Sequence, residues 1–78
     1  MKVEMLIDFN PDVNHPKVQE LGVYDFFCTV VRTHLNKGYV RFGLKSLTGQ
    51  YFINCDDIPV DRFIDFRNEI ESLGGVCH

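Results

Sequence analysis

Apolar positions along this chain follow two periods, and each marks its own kind of element. Near the C-terminal end, Phe63, Phe66, Ile70 and Leu73 recur at i, i+3, i+7 and i+10, which lines them up on one face of a helix. The stretch from Ile58 to Gly75 also carries its own punctuation. Asp56 and Asp57 stand just before it, where carboxylates favour the partial positive charge of a helix N-terminus. Pro59 suits a first turn, and Gly74-Gly75 is a stop signal. At the other end of the chain Val3, Met5, Ile7 and Phe9 alternate with Lys2, Glu4 and Asp8, the period of a half-buried strand.

The segment between these two is assigned by residue type and turn chemistry. Asn10-Pro11-Asp12 ends the first strand, and residues 14–22 hold a single helical turn with Asn14 capping and Gly22 closing it. Val23 to His34 is rich in aromatic and β-branched residues and is expected to be the second strand. Tyr24, Phe26, Cys28 and Val30 would form one face, and Asp25, Phe27, Thr29, Val31 and Thr33 the other. Asn36-Lys37-Gly38 fits a three-residue hairpin turn that sets Val30 opposite Leu44. Tyr39 to Leu47 makes the third strand, with Val40, Phe42 and Leu44 inward and Tyr39, Arg41 and Lys45 outward. A two-residue Thr48-Gly49 turn would pair Leu44 with Ile53, Phe42 with Cys55 and Arg41 with Asp56 before the short fourth strand, Tyr51 to Cys55, ends. The expected fold is therefore α+β: a small antiparallel four-stranded β-meander with one C-terminal α-helix packed on one face (β-turn-β-β-β-α). It forms a single compact domain, 1–78, with residues 75–78 a frayed tail.

Composition changes this picture little. Seven Phe and three Tyr in 78 residues supply enough apolar area for a modest core without staples. No run is long enough to span a bilayer and no signal-peptide pattern is present, so the expected location is cytoplasmic. Cys28, Cys55 and Cys77 are widely spaced, with no C-x-x-C pair, and neither a metal nor a cofactor is expected. Charge does add something. The net charge is −3, but residues 1–22 carry −2, residues 23–50 carry +3 and residues 51–78 carry −4. The molecule is bipolar along its sequence, and such asymmetry bears on partners.

Candidate chemistry is sparse. His15 and His34 sit beside turns, with no carboxylate suggested by sequence to orient either, and are read as solvated. Cys28 and Cys55 fall on core faces as small hydrophobes, and helix capping accounts for Asp56 and Asp57. Lys37-Gly38 and Thr48-Gly49 lack the length of a phosphate cradle. The chain reads as non-enzymatic.

Two surfaces remain. The first combines Val60 and Ile64, an apolar flank off the main helical stripe, with the polar residues Asp61, Asp65 and Asn68, and separately Phe52 on the outer sheet face beside Lys45 and Asn54, joined there by Phe27 and Val31. On the helix, Glu69 and Glu71 flank this acidic face. The surface points to protein binding: an inhibitor or regulator that blocks a protein or nucleoprotein partner, with an acidic helix for steering and an apolar flank for affinity. In size and charge class the chain is similar to small inhibitors made by phages and other mobile elements. The alternative is a single-stranded nucleic-acid-binding module using Arg32, Tyr39, Arg41 and Lys45 of the basic 32–45 hairpin. A homodimer seam over the apolar flank is a third, plainer use.

Overall fold

The computed structural model describes residues 1–36 and 39–78. The elements run β1 (Val3–Asp8), α1 (Pro16–Leu21), α2 (Val23–Leu35), β2 (Tyr39–Ser46), β3 (Gln50–Asp56), α3 (Val60–Ser72) and β4 (Val76–Cys77). One four-stranded antiparallel sheet has the order β2-β3-β1-β4. A chain order of strand, helices, two strands, helix, strand, folded into that sheet order, is the split β-α-β arrangement. It is α+β with an antiparallel four-stranded sheet, as the sequence implies, but it is not a meander.

The largest difference lies at residues 23–35, which form a helix and not the second strand. Phe26 and Phe27, then Val30 and Val31, then Leu35 are all buried, and pairs spaced four apart are a helical pattern. Thirteen residues also exceed a usual strand. Thr29 and Thr33, which favour strands by propensity, are accommodated by donating their hydroxyls to the carbonyls of Asp25 (2.9 Å) and Thr29 (2.7 Å), one turn back. Asp25 in the first turn and Arg32 and His34 in the last suit the helix dipole. Val30 accordingly does not pair with Leu44. Asn36 caps the end of α2, and the Lys37-Gly38 part of the expected hairpin lies outside the described residues. Phe27 and Val31 are sealed in the core and leave the outer face.

Two smaller differences follow from turns. His15, not Asn14, caps α1, its Nδ1 accepting the Lys17 N–H at 3.0 Å while its ring stacks on Phe26. Between β2 and β3 the loop is Leu47-Thr48-Gly49, with Ser46 opposite Gln50 and a bulge at Lys45, so Leu44 faces Tyr51, Phe42 faces Ile53, Val40 faces Cys55 and Arg41 faces Asn54. This register differs from the expected one by two residues. Because side chains alternate with period two, an even shift keeps every residue on its expected face.

Residues 75–78 are no frayed tail: Val76 and Cys77 add β4 to the edge of β1, opposite Asp8 and Ile7. The helix before them, α3, carries the apolar stripe the sequence implies, but Pro59 is its N-cap and no side chain caps it: Asp56 accepts the Asp57 N–H instead, so the expected capping by Asp56 and Asp57 is not formed. Phe63, Phe66 and Ile70 are buried and Leu73 half-buried. All helices lie on one face of the sheet. Ile7, Tyr51, Ile53 and Cys55 point into that layer and meet Phe9, Phe27, Leu35, Ile58, Phe66 and Ile70, all buried. Phe27 is the hinge of the packing, stacked on Tyr51 with ring centres 4.3 Å apart and tilted against Phe9 and Phe42. Among the described residues the other face of the sheet carries no helix.

Candidate functional site

Strand alternation dictates what that open face displays. From β2 it takes Tyr39, Arg41, Gly43 and Lys45; from β3 Gln50, Phe52, Asn54 and Asp56; from β1 Glu4, Leu6 and Asp8; from β4 Val76. Its centre is apolar. Leu6 and Phe52 are direct cross-strand neighbours, and the Phe52 ring lies over Gly43 on the next strand: a Cβ there would come within 3.0 Å of the ring. A glycine beside an aromatic lets the ring lie flat on the sheet instead of standing out in solvent. Around this centre Glu4, Lys45, Asn54 and His78 complete the wall of a shallow groove of about 660 Å³. A smaller groove continues past Glu4 and Asn54 to Lys2, Tyr39 and Asp56.

His78 closes one end. Its N–H donates to the Leu6 carbonyl at 2.9 Å, continuing the ladder past β4, and its ring meets the Asp8 carboxylate at 2.7 Å. Gln50 reaches the other Asp8 oxygen at 3.4 Å. A second histidine–carboxylate pair lies on the opposite side of the molecule, between the helices. His34 contacts Glu69, and the His34 side chain is only 18% exposed, so it is not the solvated residue the sequence implies. That contact draws Glu69 off the acidic face of α3. Glu71 is engaged by Arg67 at 3.0 Å, which leaves Asp61 and Asp65 as the carboxylates of that face with no ion-pair partner among the described residues. Among the described residues no three His, Cys, Asp or Glu side chains cluster as a metal site would need, and no helix is long and apolar enough to cross a membrane.

No family model, curated protein or solved structure matches this chain. The site therefore rests on geometry. The structure splits the sequence-derived protein-binding set in two. Val60, Asp61, Ile64, Asp65 and Asn68 do share the exposed side of α3, with Val60 56% and Ile64 49% exposed. Phe52 lies on the far side of the sheet from them. The nucleic-acid set is split as well: Arg32 belongs to α2 in the helix layer, whereas Tyr39, Arg41 and Lys45 stand on the open face with Phe52. Leu6, Glu4 and His78 were not singled out. Leu6 carried a legible signal, an apolar residue on the polar side of an alternating strand. His78 carried none, since only the pairing of β4 brings it to Asp8.

The inner face has its own chemistry. Burial pushes the Cys55 and Cys77 thiols and the Tyr51 phenol up from their ordinary values, and for Tyr51 the neighbours Cys28 and Tyr24 add to the effect. Folding thus favours the protonated forms. At neutral pH both folded and unfolded chains are protonated there and the full stability is present. As pH rises past about 9 the unfolded chain ionises first and stability falls. Urea midpoints are expected to be flat from pH 7 to 8 and to drop steadily above about pH 9; a midpoint that rises with alkali would contradict this burial.

Proposed function

We propose that the protein is a non-catalytic interaction domain whose open sheet face docks on a partner protein, as an inhibitor or regulator would. The observation that carries the reading is the Leu6–Phe52 pair, seated over Gly43 and ringed by Glu4, Lys45, Asn54 and His78. An apolar centre inside a polar rim is the anatomy of a protein interface, and a well-packed aromatic at the centre carries most of the affinity. The rim is of mixed sign, Glu4 against Lys45, which suits a protein surface of mixed charge better than a polyanion. On this reading the docking surface is the sheet; the α3 face, with Glu69 drawn to His34 and Glu71 paired with Arg67 of its own helix, has fewer unpaired charges to steer with.

The test is capture of a partner from extract with immobilised wild-type protein, followed by the same capture with variants. Phe52→Ser with Leu6→Ser is expected to lose the partner, at a cost of at least about 2 kcal/mol in binding. Ile64→Asp with Asp65→Lys is expected to keep it. The reverse pattern would return the site to α3.

One observation favours a second reading. Tyr39, Arg41 and Lys45 share the face of Phe52, and four-stranded sheets that expose aromatics stack the bases of single strands in other proteins. That is a fold-level analogy. Under it, a labelled single-stranded oligonucleotide would co-migrate with the protein, weaken steeply with salt, and be lost with Arg41→Glu plus Lys45→Glu.

A further inference from the structure

The sheet ends on β2, and no strand pairs with the outer edge of β2 among the described residues. An eight-residue edge with free backbone groups is a template for another strand unless a proline, a bulge or an inward-pointing charge blocks it. From Tyr39 to Leu44 this edge has none of the three. Its only irregularity lies between Leu44 and Ser46, and its inward positions are Val40, Phe42 and Leu44. Leu44 is 40% exposed although it points to the helix side, and Tyr39 is 63% exposed.

We propose that the occupant of this edge is a second copy of the same chain, paired antiparallel about a two-fold axis at Phe42. Charge pattern and ladder length together select that register, since axes nearer either end of β2 leave fewer residues paired. Directly opposed residues in an antiparallel pair share a face, so the axis must pass through a residue. With the axis at Phe42, Val40 faces the second copy's Leu44, Phe42 faces its counterpart, Arg41 faces Gly43, and Tyr39 comes beside Lys45 at the bulge that ends the regular edge. Each cation then meets a neutral residue, and Lys45 meets an aromatic ring it can lie against. Moving the axis to Arg41 sets Arg41 against itself, and moving it to Gly43 sets Arg41 against Lys45. Like charges directly opposite are destabilising. The pairing gives one continuous eight-stranded sheet with both Phe52 faces on the same side and all helices on the other. It does not depend on the partner proposed above.

The experiment is light scattering on a sizing column from micromolar to millimolar protein, with amide exchange of Tyr39–Leu44 followed over the same range. The wild type is expected to dimerise, and those amides to slow as it does. Tyr39→Lys, at an exposed position, opposes two ammonium groups at both ends of the ladder and is expected to raise the dissociation constant about tenfold. Adding Lys45→Glu to it restores opposite charges and is expected to recover the dimer. Circular dichroism checks that each variant is folded. A wild type that stays monomeric throughout overturns the proposal. So does a dimer that ignores both charge changes and dissolves with Ile64→Asp, which would place the seam on α3.

Discussion

Replacing Phe27 by alanine is expected to destabilise the fold by about 3–5 kcal/mol, the cost of emptying a buried aromatic site. A domain of this size holds roughly 4–12 kcal/mol in total, so the variant should be largely unfolded in modest urea. The magnitude follows from position. Phe27 is fully buried on α2 and meets β3 through Tyr51, the middle of β2 through Phe42, and the residue that follows β1, Phe9. No neighbouring helix can slide in to fill the space, because α2 is itself the element that covers this part of the sheet. A strand at 23–34 would instead turn Phe27 to the less protected face. Substitution there would cost within about 0.5 kcal/mol. Urea denaturation of Phe27→Ala thus distinguishes the helix from the strand: a loss under about 1 kcal/mol would refute the packing described.

Gly75→Ala is expected to cost roughly 1–3 kcal/mol by overpacking, out of proportion to one methyl group. The end of α3 closes with Gly75 N–H donating to the Ile70 carbonyl at 2.9 Å and Gly74 N–H to Glu71 at 3.0 Å, the paired bonds of a Schellman motif. A Cβ at Gly75 would meet Ile70 Cγ2 at 2.5 Å, the Ile70 carbonyl oxygen at 3.0 Å and the Asp8 carbonyl oxygen at 3.2 Å. Two of those atoms are backbone, one in α3 and one in β1. Relief therefore requires helix and strand to part, and β4 is pulled from β1 as they do. Gly74 makes the comparison. Its φ of +85° is costly for any other residue, but nothing lies within 4 Å of its missing Cβ. Gly74→Ala should cost only the backbone strain of about 1–2 kcal/mol and leave exchange at the His78 amide nearly unchanged. In Gly75→Ala that amide, which donates to Leu6, should exchange much faster. Equal exchange in the two variants would show that β4 does not depend on the close approach.

What the sequence made legible was whatever a short window could hold. The Phe63, Phe66, Ile70 and Leu73 stripe with its glycine stop needs only α3 itself, and the alternation of Val3, Met5 and Ile7 needs only β1. The faces of β2 and β3 were also readable, because an even register error leaves them intact. Residues 23–35 were misassigned because propensity outvoted period. Val, Tyr, Phe and Thr all favour strands, yet propensity is the weaker prior once burial falls in pairs four apart. Non-local pairing was beyond reach: β1 sits between β3 and β4, some 45 and 70 residues away in sequence, and two residues of β4 carry no pattern at all. The site divides along the same line. Phe52 was visible as an apolar residue on a polar face, and Leu6 was visible in principle by the same logic. That the two are neighbours, with His78 and Lys45 on the rim, is a product of strand order.

The most direct measurement on the interaction face is hydroxyl-radical footprinting of the protein alone and bound to its captured partner, with oxidation read residue by residue. Strong protection of Phe52 and Leu6 is expected, with unchanged oxidation of Val60 and Ile64. Protection of Val60 and Ile64 with Phe52 still fully reactive would contradict it and would move the function to the outer side of α3.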